Sequence, residues 1–571
     1  MAPRTPGVRA KACHLFLPDR PGLVTPESVG AAFPAELAAA SEFGRGRGVP
    51  AVMPHEDVAD AIRRAPRGAA LGPSGLRQEH LRVLGDEGQA ALTAVVRLLA
   101  GDAAERRVPP LTANALAGPN LFLLFKPGGP DGDCLPHLRP IGMPEVLRKL
   151  AAAALAGTVR AAAARLLGPL QMGVGVPNPC ERVVHELKAE LAHDPTAALL
   201  QLDFRNAFNL VSRAAAVAYL ARALPLLRPY LDWVYLGAAA PRVYGWAVAD
   251  DVVSGGAAAL TRLWLPVERG VQQGDPLGPL MHAAAMHLAV LRLATAHPGA
   301  VVRAVHDDVV VVAPHSELRA VLRTAAEAGA AVDAELAPSK CAGWSPAGAD
   351  APVGWPARWC AEGVHQFSVP LGTDAFLAAS VDRLAADQSR LVAAINALTP
   401  AELQSQLLLL RLCAGPRPNY WLRALPLARG TRLAAAVDRT AQGALRQLLT
   451  DARDDEAVVA DLLDRASLPV AHGGLGIGGR TAVVPAASLA SQLDTLRAGR
   501  HYSRTLAAVA DGLVAVTGTA AGEPLAWPPA PSGGFLDDPG APARAQGRAG
   551  VGPQVAAAAQ AQPRPLGRAP A

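Results

Sequence analysis

The stretch Ala304-Val305-His306-Asp307-Asp308-Val309-Val310-Val311-Val312 constrains this chain more than any other. Apolar β-formers flank two adjacent acids, so the segment reads as strand, tight turn, strand, with the carboxylates presented at the bend. Neighbouring carboxylates repel one another and tend to share a proton unless a cation lies between them. A divalent metal is their natural partner. The pair alone decides little, because the sequence contains four: Asp250-Asp251, Asp307-Asp308, Asp454-Asp455 and Asp537-Asp538. The last two sit in polar or Pro/Gly-rich text and read as surface, but Val248-Ala249 and Val252-Val253 give the first the same apolar flanks.

What surrounds each pair separates them. Ala197-Ala198-Leu199-Leu200-Gln201-Leu202-Asp203 is a short apolar run ending in an acid, as expected of a buried strand that delivers a carboxylate at its tip. Gly270-Val271-Gln272-Gln273-Gly274-Asp275-Pro276-Leu277 is a polar Gly/Pro loop, and the stretch 280–295 behind it reads as a buried helix. Leu121 to Phe125 reads as a strand running into the Lys126-Pro127-Gly128-Gly129 turn. A further helix is opened by Glu145 and carries Arg148 and Lys149, and residues 378–500 are mainly helical text. Nucleotidyl transfer by two metal ions needs carboxylates from separate strands converging on one point. Asp203, Asp307 and Asp308 supply such a set, with a Gln-Gly loop between them in sequence.

Taken in order, these motifs resemble those of reverse transcriptases, most closely the non-LTR retrotransposon type. Asp203-Phe204-Arg205-Asn206-Ala207-Phe208 is similar to the family's first palm motif, Gly270 to Leu277 to its second and the Asp307-Asp308 hairpin to its third. Upstream, Gly72-Pro73-Ser74-Gly75-Leu76, Lys126, Arg139-Pro140-Ile141 with Val146 to Leu150, and Gln171-Met172-Gly173-Val174-Gly175-Val176 resemble the fingers motifs. Downstream, Leu336 to Cys341 resembles the motif ending in a Lys, and Val369-Pro370-Leu371-Gly372 the primer-grip region. The likeness spans roughly residues 60–480, and its order excludes Asp250-Asp251, which precedes the Gln-Gly loop.

The resemblance implies an α+β right-hand polymerase: fingers (60–196), a palm of antiparallel sheet backed by helices (197–377) and a helical thumb (378–500), while composition reads an N-terminal extension (1–59, partly disordered) and a low-complexity disordered tail (501–571) around it. It implies an RNA-directed DNA polymerase that extends a DNA or RNA primer on an RNA template with dNTPs. Asp203, Asp307 and Asp308 would hold Mg²⁺ or Mn²⁺. Lys126 and Arg139 would grip the triphosphate, as suits a point charge and a planar fork. Phe208 would wall off the sugar 2′-hydroxyl, Gln273 and Gly274 would let backbone approach the nucleotide, and Lys340 would lie near the leaving pyrophosphate. Three departures stand out: Val305 replaces the usual aromatic, a bulky His306 replaces the usual small or apolar residue before the acids, and Asn209 stands where many relatives have Asp. They keep open a decayed, nucleic-acid-binding relative, and an RNA-synthesising polymerase is the remaining alternative.

Each residue also has a plainer reading: Asp203 as a helix cap, Phe208 as core, Lys126, Arg139 and Lys340 as solvated charges, and Gln273-Gly274 as an ordinary turn. Composition adds bounds. Net charge of +5 permits a polyanionic partner without requiring one. Positive charge is almost all Arg, with five Lys, of which Lys126, Lys149 and Lys340 fall inside the motifs. Six Cys show no C-x-x-C spacing, which argues against zinc fingers and fits a reducing compartment. With no signal-peptide pattern and Arg160 and Arg165 interrupting the Ala-rich region, the expectation is a soluble intracellular protein without membrane contact. Dinucleotide-fingerprint, P-loop and nucleophile-elbow patterns are absent.

Overall fold

The computed structural model describes residues 24–101, 108–125, 138–194, 196–236, 242–249, 260–267, 269–398, 402–450 and 456–509. All of them fall within one compact unit, Met1–Leu525. Lys126, the Asp250-Asp251 and Asp454-Asp455 pairs and the expected tail beyond 509 lie outside the described residues, and of Arg139 only the backbone is described.

The architecture is mixed α/β and mostly helical. In chain order the strands are β1 (Asn120–Phe125), β2 (Leu138–Met143), β3 (Ala197–Leu202), β4 (Arg242–Ala249), β5 (Leu260–Val267), β6 (Val301–Val305), β7 (Asp308–Pro314), β8 (Ala342–Trp344), β9 (Arg358–Trp359), β10 (Gly363–Gln366) and β11 (Val369–Gly372). A five-stranded sheet has the order β6-β7-β3-β8-β9, a four-stranded sheet the order β2-β1-β4-β5, and β10-β11 form a hairpin.

The five-stranded sheet is covered on both faces, which explains why its central strands read as continuous apolar runs rather than alternating ones. Successive side chains point to opposite faces. Ala198, Leu200 and Leu202 of β3, with Val309, Val311 and Ala313 of β7, join one core, which includes Leu280 to Leu293 of the helix Gly278–Ala296 and much of the helix Val146–Leu167. Ala197 and Leu199, with Val310 and Val312, join a second core against Val183, Val184 and Leu187 of the helix Pro179–His193. Each fully buried Val or Leu contributes about 1.5–3 kcal/mol, so a one-residue slip of β3 or β7 would unseat both faces at once.

Three features depart from the sequence reading. Residues 1–59, expected to be largely loose, contain helices at Pro26–Ala32 and Pro34–Arg45, and Val29, Phe33 and Leu37 join the main core. Thr25 and Ser28 form a reciprocal capping box that starts the first helix. The β4-β5 hairpin was not anticipated, and the competing Asp-Asp pair follows immediately on β4. Finally, the helix Val146–Leu167 is long and apolar enough to cross a membrane, despite the expectation that no segment would be. Its apolarity is that of a core helix, since Leu150, Leu155, Val159 and Leu167 are wholly buried in the fold.

Candidate active site

β3 is the centre of the five-stranded sheet, paired antiparallel to β7 on one side and β8 on the other. Its last rung, Leu202 opposite Val309, places Asp203 just beyond the strand end and across from Asp308. Paired Cα atoms in an antiparallel ladder stand about 5 Å apart. The β6-β7 hairpin closes with Val305 opposite Asp308, which leaves His306-Asp307 as the turn. All three predicted acids therefore gather at one end of the sheet.

Their charges interact. Burial, then Asp307, then Asp203 push the Asp308 carboxyl up to about 6. Asp203 Oδ1 is shielded from solvent and makes no hydrogen bond. It faces the Lys340 ammonium at 3.6 Å, an ion pair too long to be a hydrogen bond, while the rest of the Asp203 side chain is about half exposed. Lys340 is brought there because Ala337 N–H donates to Asp203 C=O at 2.8 Å and Asp203 N–H meets Cys341 Sγ at 3.4 Å. Hard oxygen donors, a raised carboxyl and a shielded oxygen without a hydrogen bond are the chemistry a divalent cation relieves. The set is not drawn into a chelate, however: among the described residues, no group of three His, Cys, Asp or Glu is placed to hold a metal ion.

The turn itself is strained and clamped. His306 has φ 58°, uncommon outside Gly. The wholly buried Gln171 holds it from the side: His306 N–H donates to Gln171 Oε1 at 2.8 Å, and Gln171 Nε2 donates to His306 C=O at 3.0 Å. Gly173 N–H shares the same acceptor at 3.0 Å. Gly173 also makes room for the large ring, since a Cβ there would meet His306 N at 2.8 Å and two ring atoms at 2.9 Å. The bulky His306 is thus accommodated rather than merely tolerated. Burial keeps its pKa below the ordinary value, against the opposing pull of Asp307.

Phe208 lies beside the turn on the short helix Ala207–Leu210, its ring 6.2 Å from that of His306. Its carbonyl accepts from Val271 N–H at 2.7 Å, which ties it to the start of the Gln-Gly loop. Gln273 and Gly274 dock in turn on β2: Gly142 N–H donates to Gln273 C=O at 2.8 Å, and Gly274 has φ 120°. A Cβ at Gly274 would lie 2.1 Å from Gly142 O, so only Gly allows this approach. The structure thus brings Asp203, Asp307, Asp308, Phe208 and Lys340 together and places Gln273 and Gly274 on the adjoining loop.

Sequence reasoning missed what holds the loop. Arg148, 0% exposed, donates to Gln272 Oε1 and to Asp275 Oδ2, both at 2.6 Å, and to Ala117 C=O at 2.6 Å. Tyr235 O–H donates to the same Asp275 oxygen at 2.8 Å. Burial works against the guanidinium charge, but Tyr230, Asp275 and Tyr235 outweigh it and hold its pKa above the ordinary value. The available signal was an Arg in the first turn of an Ala/Leu helix and an Asp within the loop, each of which had to find a partner once buried. Upstream, Ser74 O–H donates to Glu145 Oε1 at 2.7 Å, so the Gly72-to-Leu76 turn docks on the residue that caps the Arg148 helix.

The chain is distantly similar to a retrotransposable-element protein. Over 424 residues, 74% of this chain, it is 28% identical to the Retrotransposable element SLACS 132 kDa protein of Trypanosoma brucei gambiense. It spans about a third of that relative's length. No family model matches the chain.

Proposed function

We propose that this protein is an RNA-directed DNA polymerase of retroelement origin, adding deoxynucleotides to a primer 3′-hydroxyl along an RNA template. The observation that carries the reading is the meeting of Asp203 with Asp307-Asp308 at one sheet end, where burial first, then Asp307 and Asp203, push the Asp308 carboxyl up to about 6. In this reading residues 60–196, 197–377 and 378–500 are fingers, palm and thumb. The similarity to a retrotransposable-element protein supports the same class.

Asp203, Asp307 and Asp308 would hold Mg²⁺ or Mn²⁺, which when bound supplies activation of the attacking hydroxyl and neutralisation of the transferring phosphoryl group. The remaining steps belong to the chain. Lys126 and Arg139 bind the triphosphate. Phe208 excludes a 2′-hydroxyl, and the Gln273-Gly274 backbone borders the nucleotide. Lys340, already beside Asp203, stabilises charge on the departing pyrophosphate. Template and primer are held mainly through Arg, so binding weakens steeply with salt.

Extension of oligo(dT) on poly(rA) with TTP, with and without Mg²⁺ or Mn²⁺, tests the reading. Asp307→Asn is expected to lose extension by about a thousandfold or more while RNA binding persists; synthesis retained in that variant removes these acids from the mechanism. A second reading, a nucleic-acid-binding protein that has lost catalysis, is favoured by one observation: no three ligands are placed for a metal among the described residues. No extension by the unmodified protein with either metal, alongside intact RNA binding, would select it.

A further inference from the structure

The helix Gly278–Ala296 carries a side chain that the core does not otherwise account for. His282 is 0% exposed, and neither ring nitrogen has a hydrogen-bond partner among the described residues. Burying unpaired polar atoms costs stability relative to an apolar side chain of similar shape. A position that needed only bulk would be better served by Leu or Phe, which the surrounding Leu280, Met281 and Met286 resemble. What the imidazole does have is a flat face: its ring lies parallel to Phe208, centroids 4.1 Å apart and planes 6° apart. Burial also holds its pKa at about 3, so that face stays uncharged at any neutral pH.

We infer that His282 is a positioning residue for sugar selection, a buried platform that fixes the plane of Phe208 and so sets how far its ring reaches toward the sugar. The inference rests on the polymerase reading, in which Phe208 meets the sugar. Stacked aromatic faces resist rotation out of plane and allow chiefly sliding. With His282 on one face and the His306 ring tilted at 51° nearby, the Phe208 ring is held between a core helix and the turn that carries the acids. Truncating His282 opens a space behind Phe208, into which the ring can retreat by the thickness of the lost imidazole. The room gained on the sugar side is of the size of a hydroxyl. Discrimination against ribonucleotides then falls while the acids and the loop stay where they are.

The test is the ratio of kcat/KM for TTP to that for UTP on poly(rA)/oligo(dT), in His282→Ala, His282→Leu, His282→Phe and Phe208→Ala. For His282→Ala the ratio is expected to drop about tenfold or more, mainly through a lower KM for UTP, with kcat for TTP within about threefold of the parent. His282→Phe keeps a flat face and should restore the ratio; His282→Leu fills the space without one and should fall between. Should His282→Ala not fold, the Leu and Phe pair carries the same contrast. Where extension is too slow to time, Kd values for TTP and UTP on a dideoxy-terminated primer give the same ratio. A ratio that falls in Phe208→Ala but is unchanged in His282→Ala and His282→Leu overturns the platform and leaves the gate standing. An unchanged ratio in Phe208→Ala overturns the gate, and the platform with it.

Discussion

The acidic turn and the Gln-Gly loop flank the same site, yet they are held in opposite ways. The turn is gripped by a neutral amide: Gln171 donates to and accepts from the His306 peptide unit and brings no charge near the acids. The loop is gripped by a wholly buried ion pair, Arg148 with Asp275, with Tyr235 on the same oxygen. The difference follows from what each segment must leave free. A guanidinium beside Asp307 and Asp308 would pair with them, draw Asp308 down from its raised value and compete with any cation. The loop presents backbone, not charge, so a fixed ion pair behind it takes nothing from the site. Neutral support where charge must stay available, and ionic support where position is what matters, is the rule this comparison suggests.

Breaking the ionic side should have the largest effect. Arg148→Met leaves Asp275 buried without its cation and removes the donor to Gln272, and is expected to cost about 3–5 kcal/mol in chemical denaturation. Pairing it with Asp275→Leu removes the orphaned charge and should recover most of that loss. If Arg148→Met alone costs less than about 1 kcal/mol, the loop is held by Gly142 and the surrounding apolar packing, and the contrast with the turn disappears.

The neutral side should break more gently for the fold and more sharply for activity. Gln171→Ala strips both hydrogen bonds from a part-buried turn whose His306 is left-handed and frees Gly173 N–H, at an expected cost of about 2 kcal/mol. In the polymerase reading, extension should slow about tenfold or more in kcat with little change in the KM for TTP, because the acids shift while the Gln-Gly loop proposed to border the nucleotide does not. A variant with unchanged kcat would mean that the β6-β7 ladder alone fixes the turn.

These two supports also mark where the sequence stopped being readable. β3 and β7 were legible because a strand buried on both faces leaves an unbroken apolar run, and the acids because they interrupt it at the ends. Phe208 and Lys340 were reached only through motif order, since a single aromatic or lysine has no pattern of its own. Gln171 was quoted within a motif yet given no role, because its partners are backbone atoms 135 positions away and leave no mark on side-chain chemistry. Arg148 and Asp275 meet across 127 positions, and nothing local tells a buried charge from a solvated one. The helices at 26–45 were hidden by the Gly, Pro and Arg around them, although Thr25-Pro26-Glu27-Ser28 holds a capping box and a helix-starting proline.

The smallest expected effect probes the acids themselves. Asp308 takes up its proton more readily folded than unfolded, so between its ordinary value of 3.8 and about 6 its contribution to stability is present at the acid end and lost as pH rises. At pH 7 the folded protein therefore carries an ionised carboxyl that its neighbours disfavour, and a bound divalent cation removes that penalty. At pH 5 the proton already does so, and a cation must displace it. Melting in Mg²⁺ against melting in EDTA should consequently show a larger gain at pH 7 than at pH 5. Asp308 is partly exposed, which limits the difference to about 1 kcal/mol. Asp308→Asn, which has no proton to exchange, should abolish the pH dependence of that gain while Arg148→Met leaves it intact. If the Mg²⁺ gain is equal at both pH values in the unmodified protein, the acids do not share a cation, and the neutrality of the Gln171 clamp needs another explanation.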